Sequence, residues 1–197
     1  MDDTVSATPS EPRLVLVRHS LPEMRPGVPA RAWHLSPEGR RRCEVLAARL
    51  IPIHAGVAAA SDEPKAWEMA ECIADRLEVP VLRVPGLHEH DRMGVPFLGI
   101  AEFEAAIARF FKAPEQLVFG RESAARARDR FAAAIAGIIA AHPRQSIVVV
   151  AHGTVISLFV AQVAGGDSLR IWQSLGMPSF VTWSLPDFHL IEVVPSL

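Results

Sequence analysis

Lysine is nearly missing from this 197-residue sequence: of 20 basic residues only Lys65 and Lys112 are lysines, and the other 18 are arginines. No basic block or stripe stands out, and 22 acidic residues bring the formal net charge to -2. A protein that grips nucleic acid neutralises a run of phosphates with clustered cations, so that class is excluded, whereas a small anionic substrate needs only a few local charges. Cysteine is scarce as well. Cys43 and Cys72 fall within helical patterns and read as reduced, half-buried core residues, too few to staple a fold of this length. No apolar run approaches the roughly 20 residues of a membrane span. Residues 1–12 are acidic and rich in Ser, Thr and Pro, with neither the basic start nor the apolar centre of a secretory signal, and read as a disordered tail. Repeats and low-complexity blocks are absent too. A cytoplasmic protein with no membrane partner is the expectation.

What the sequence does hold is 50% hydrophobic residues, ample for the core of a single domain over residues 13–197, and eight histidines. Histidine is the side chain whose ordinary pKa lies nearest working pH. Leu14-Val-Leu-Val17 is a short apolar run suited to a strand buried on both faces, and it ends abruptly in Arg18-His19-Ser20. Pro22 to Pro29 is loop. Ser36-Pro37-Glu38 offers an N-cap, a proline for the first helical position and an acid in the first turn, so a helix is expected over 37–50. Further expectations are a strand at 56–60, a helix at 64–77 with Trp67, Ala70, Ala74 and Leu77 on one face, and a strand at 80–84. Residues 86–120, rich in Pro, Gly and charge, read as an insertion holding a short helix at 100–111. A long helix over 123–141 follows, then the strongest strand pattern of the chain, Ser146 to Ala151, which again runs into a histidine, His152-Gly153. Helices at 154–163 and 168–175 and strand-like runs at 180–185 and 188–193 complete the chain. The alternation predicts an α/β three-layer sandwich: a mostly parallel central sheet with helices on both faces, a small helical insertion, and an antiparallel edge strand at the end.

In open α/β sheets ligands bind just beyond the carboxyl ends of the strands. His19 and His152 both stand there. Lys65 falls in the first turn of the helix after the second strand, Glu89 lies just beyond the third strand, and Arg18 precedes His19. Two imidazoles, two permanent cations and a carboxylate on one rim make a phosphate site with a nucleophile and a proton donor. A neutral imidazole nitrogen attacks phosphorus, and fixed cations stabilise the charge on the equatorial oxygens. Arg18 brings a planar fork and Lys65 a point charge. Glu89 serves as the donor to the leaving group if its surroundings raise its pKa. His88, His90 and Asp91 are an alternative, metal-binding cluster, although they lack a helical i, i+4 pair. His34, His54, His142 and His189 read as surface or capping residues.

These segments resemble the histidine phosphatase superfamily, the phosphoglycerate-mutase-like phosphatases. Leu14 to Ser20 is similar to that family's strand and Arg-His-Gly motif, which implies that His19 is the phosphorylated nucleophile and Arg18 a phosphate ligand. Leu35-Ser36-Pro37-Glu38-Gly39 resembles its Leu-Thr-x-x-Gly helix start. Ser61 to Ala66 falls where the family has Ser-Pro-x-x-Arg-Ala, so Lys65 takes the place of the second phosphate-binding cation. Leu87-His88-Glu89 resembles the Leu-x-Glu of the proton donor, and Ala151-His152-Gly153 the second histidine motif, whose His binds the phosphoryl group. Four features depart from the pattern. Ser20 replaces Gly and brings a hydroxyl beside the site; Lys65 replaces Arg; Met69 replaces Thr; and Ser20-Leu21-Pro22-Glu23 lacks the Gly-x-Thr and the following Asn of the mutases.

The resemblance implies a metal-independent phosphomonoesterase without cofactor, acting through phospho-His19 on a small phosphorylated substrate or a phosphoprotein. The catalytic set is His19, Glu89 and His152, with Arg18, Lys65 and His152 on phosphate and Ser20 and Gly153 beside it. The alternative is a catalytically weak or inactive member of the same fold that binds phosphorylated ligands, and a metal hydrolase through His88, His90 and Asp91 is the third reading. The sequence carries no mark of oligomeric state.

Overall fold

The computed structural model describes residues 11–197, and the tail expected over 1–12 lies, but for its last two residues, outside them. Six strands form one sheet in the order β3-β2-β4-β1-β5-β6. They are β1 (Arg13–Arg18), β2 (Ala55–Ala60), β3 (Val81–Arg83), β4 (Ser146–Ala151), β5 (Ser179–Ser184) and β6 (Leu190–Val194). The first four run parallel, with Leu14 opposite Ile147 and Arg18 opposite Ala151 in the β1–β4 pair. β5 runs against β1, and β6 against β5. The antiparallel feature therefore enters one strand earlier than the sequence pattern placed it. A short apolar run specifies burial but not direction.

Strand periodicity sorts the core into two layers. Leu14, Leu16, Ile147 and Val149 face α4 (Ala124–Ala141) and α5 (Gly153–Ala164), packing with Phe131, Ile135 and Phe159. Val15, Val17, Val148 and Val150 face α1 (Pro37–Leu50) and α2 (Pro64–Leu77), packing with Leu46, Leu50, Met69 and Ile73. Met69, where the family pattern has Thr, is thus a fully buried core side chain. Helix starts follow the chemistry of their caps. Ser36 Oγ accepts the Gly39 N–H at 3.0 Å at the head of α1, and Ser123 Oγ accepts that of Arg126 at 3.3 Å at the head of α4. α2 begins on Pro64, but its N-cap residue Glu63 makes no side-chain cap. That carboxylate is engaged in the site.

The segment between β3 and α4 carries α3 (Ile100–Lys112), whose Ile107 and Phe110 are buried, and α6 (Ser168–Ser174) lies between α5 and β5. Two short 3-10 turns, at Ala30–Ala32 and Ile51–Ile53, have no counterpart in the sequence pattern. β6 starts at Leu190 instead of 188, because Phe188 sits in the left-handed region with φ 53° and belongs to the turn. Among the described residues no helix is long and apolar enough to cross a membrane.

Candidate active site

The sheet delivers its two histidines side by side. β1 and β4 are neighbours in parallel register, and the ladder continues one step past β1, with His19 N–H donating to Ala151 O at 3.0 Å. The next residue after Ala151 is His152, so the two rings meet edge to face with centroids 5.1 Å apart. His19 is 6% exposed and His152 fully buried. The Nδ1–H of His19 donates to Ser20 O at 2.7 Å, which leaves the Nε2 lone pair unused. His152 is set by Ser61 Oγ, 2.9 Å from its Nε2, with the Glu63 carboxylate 3.6 Å from the same nitrogen. Its Nδ1 has no partner among the described residues.

Burial pushes the pKa of both histidines well below the ordinary value, and the positive charge of Lys65 acts in the same direction on each. For His19 the neighbouring His152 adds to this, and for His152 Glu89 opposes it. The neutral imidazole, the form with a free nitrogen lone pair, is thereby favoured even as pH falls. The unfolded chain takes up protons on these histidines near pH 6.5 and the native chain resists, so stability is full above about pH 6.5 and falls as pH is lowered. Each buried histidine contributes a loss of up to about 1.4 kcal/mol per pH unit. Glu89, whose pKa is shifted downward, adds acid sensitivity only below its unfolded value of 4.5. The urea midpoint is therefore expected to drop between pH 7.5 and 5 at unchanged m-value, and a constant midpoint would contradict the neutral, buried pair.

Arg18, the last residue of β1, donates through Nη1 to Leu175 O, while its Nε is buried without a partner among the described residues. Gly153 opens α5 directly against this guanidinium: a Cβ at position 153 would stand 2.9 Å from Arg18 Cζ and Nε. Only glycine allows that approach. Ser20, the residue after His19, is fully buried, and its hydroxyl has no hydrogen-bond partner among the described residues.

Lys65 departs from a free phosphate cation. Its Nζ donates to Glu63 Oε2 and, at 2.9 Å, to Ala30 O of the first 3-10 turn. Both charged side chains are buried, 6% and 9% exposed. An ammonium has three donors, so one N–H of Lys65 is left for a ligand, and its charge is balanced by Glu63. Glu63 Oε1 in turn accepts the Glu89 N–H at 2.9 Å.

Glu89 lies beside the first turn of α5. Oε2 accepts the Thr154 N–H at 3.2 Å and Oε1 that of His90 at 2.9 Å, and Arg92 Nη2 is 3.6 Å from Oε2. Burial alone raises its pKa, but Arg92, His152 and the two backbone N–H groups outweigh burial and hold the carboxyl well below the usual range. The upward shift expected of a proton donor is not what the structure shows. Arg130 of α4 fixes the main chain here through Gly86 O at 2.7 Å and His88 O at 2.9 Å.

The metal cluster is not assembled. The His90 ring packs between Phe110 and Phe119, with centroids 4.2 and 4.7 Å away, and Asp91 accepts the Met93 N–H at 2.9 Å. Among the described residues no group of three or more His, Cys, Asp or Glu side chains is arranged to hold a metal ion. Of the background histidines, His34 and His189 are exposed, His54 ends the second 3-10 turn and His142 caps α4.

The structure thus brings Arg18, His19, Lys65, Glu89, His152 and Gly153 to one edge and adds residues that sequence reasoning passed over. Ser61 and Glu63 sit inside the quoted motif, where their types were the available signal. Arg92, from an irregular segment, and Thr154 gave none.

A family model described as histidine phosphatase superfamily (branch 1) matches residues 14–184. The uncharacterized phosphatase PhoE of Bacillus subtilis is 26% identical over 103 residues, 52% of this chain. That match spans about half, 50%, of the relative's length. Among solved structures, mycobacterial glucosyl-3-phosphoglycerate phosphatase superposes with TM-score 0.77 at 20% identity, over 94% of this chain and 99% of that one. A phosphoserine phosphatase mutant from Entamoeba histolytica, in complex with phosphoserine, gives 0.75 at 15% identity, over 92% and 96%. At these identities the likeness is one of fold.

Proposed function

The chain belongs to the histidine phosphatase superfamily, branch 1, and on that premise we propose that it hydrolyses phosphate monoesters without a metal, through a phosphohistidine formed on His19. The observation that supports this most is the His19 ring itself: neutral, with Nδ1 tied to Ser20 O and Nε2 free, beside a second buried histidine. In the first step Nε2 attacks phosphorus, the P–N bond forms and the ester P–O bond breaks. In the second, water attacks phosphorus, the P–N bond breaks, and inorganic phosphate and neutral His19 result. Arg18, His152 and the remaining N–H of Lys65 stabilise the charge on the equatorial oxygens. The names of the matched phosphatases favour a small phosphorylated substrate over a phosphoprotein, with selectivity residing in residues 22–34 and 86–120.

Glu89 handles the proton. Its ionised resting state suits the second step, in which it accepts a proton from the attacking water. For the first step a monoanionic ester delivers the proton that Glu89 passes to the leaving oxygen, and the negative charge of the bound phosphate raises the proton affinity of the carboxyl. An aryl phosphate, whose leaving group needs no proton, isolates this role. Glu89→Gln is expected to lower kcat/KM by about 10²- to 10⁴-fold on an alkyl phosphate and clearly less on an aryl phosphate. Equal losses on both esters would remove Glu89 from proton transfer to the leaving group.

The reading as a whole is tested by turnover of a panel of phosphate monoesters in excess chelator. The balanced Glu63–Lys65 pair supports a second reading, a catalytically weak member of the fold that retains phosphorylated ligands. Saturable binding of the panel with no inorganic phosphate released would favour it and contradict hydrolysis. Loss of turnover on chelation would restore a metal.

A further inference from the structure

We propose that Arg92 is a second guanidinium ligand of the transferring phosphoryl group, supplied by the segment between β3 and α3 and set beside Arg18 on the first turn of α5. The inference rests on the phosphatase reading above. Position 92 lies in none of the motifs that carry the resemblance, so the residue is assigned by its place alone.

That place is defined from three sides. Arg92 Nη2 donates to Thr154 Oγ1 at 3.0 Å, the guanidinium carbon lies 4.8 Å from the centre of the Phe103 ring, and Glu89 Oε2 is 3.6 Å away. The last distance is beyond a hydrogen bond, and Glu89 Oε2 already accepts the Thr154 N–H. Arg92 is therefore oriented without being used up. Its Nε is buried and unpartnered among the described residues, as is the Nε of Arg18, which packs on Gly153, the residue before Thr154. A buried N–H of a charged group without an acceptor is costly and rare. Two of them against adjacent residues of one helix start, Gly153 and Thr154, leave guanidinium N–H capacity at the site that an anion seated there takes up.

Charge balance argues the same way. Glu63 offsets Lys65, and Glu89 is ionised. With neutral histidines, Arg18 and Lys65 against two carboxylates leave the site without net charge, a poor host for a phosphate dianion. Arg92 turns it positive. It also restores a fork where Lys65 offers only a point charge. The Arg92 charge reaches both neighbours, depressing the proton affinity of Arg18 and of His152, although burial is the larger cause in each.

The test uses the 197-residue chain and its Arg92→Ala, Arg92→Lys and His19→Ala variants, assayed on an aryl and an alkyl phosphate, with inorganic phosphate as inhibitor and urea midpoints as a control of folding. Arg92→Ala is expected to lose about 10²- to 10³-fold in kcat/KM on both esters. The inhibition constant of phosphate should rise by about tenfold or more. Arg92→Lys should recover only part of either loss, and added guanidinium ion should partly rescue the Ala variant. A loss confined to the alkyl ester, with phosphate inhibition unchanged, would make Arg92 a positioning partner of Glu89 and overturn the proposal. So would wild-type kcat/KM and phosphate inhibition in Arg92→Lys, which decides the matter if the Ala variant does not fold. Turnover by His19→Ala would instead overturn the phosphohistidine reading, whatever happens at position 92.

Discussion

Replacing His19 by Ala is expected to lower turnover of a phosphate monoester on the order of 10⁶-fold, the scale of losing a covalent nucleophile. The chain should remain folded. His19 holds its place in the sheet through its backbone N–H on Ala151 O, and its side chain makes one hydrogen bond, to the adjacent Ser20 O. Because the native chain resists protonating this buried imidazole, its removal should also lessen the loss of stability below about pH 6.5. Circular dichroism and the urea midpoint of the variant check the fold while the assay checks the chemistry. Residual activity within a hundredfold of wild type would place the nucleophile elsewhere.

The second large effect is expected at Lys65, and it divides between stability and rate. Lys65→Met leaves the Glu63 carboxylate buried, without its cation, beside His152 and the incoming phosphate. Breaking a buried pair by removing one partner costs about 3–5 kcal/mol. Loss of one donor to the transition state lowers kcat/KM by about 10²- to 10³-fold. The double variant Glu63→Gln/Lys65→Met separates the two. Removing both charges at once should return most of the stability while leaving activity depressed, because the last N–H of Lys65 is still missing. Equal urea midpoints for the single and double variants would show that Glu63 and Lys65 are not coupled in solution.

These expectations rest on features of uneven legibility. The strands that end in Arg18-His19 and Ala151-His152 are readable because a fully buried parallel strand is a continuous apolar run, and the polar residues that break it mark the sheet edge. The first helix is readable from Ser36 and Pro37, since capping is local chemistry. The direction of β5 is not, because apolar runs look alike in parallel and antiparallel pairs. The Glu63–Lys65 pair needs the extended backbone of an N-cap residue to bring side chains two positions apart together, and the Ala30 carbonyl that completes it comes from a 3-10 turn in a Pro-rich loop. The charge of Glu89 is a balance of opposing effects: burial argues for a protonated acid, while Arg92 and two backbone N–H groups argue for a carboxylate. Only the arrangement of the site decides which wins.

The most direct test of the phosphohistidine is to mix the enzyme with a monoester carrying a labelled phosphoryl group, quench within the first turnovers and map the label. The expected result is acid-labile, base-stable label on His19, formed as fast as the alcohol is released and absent from His19→Ala. Steady turnover with no labelled protein at any time, or label on another residue, would contradict it.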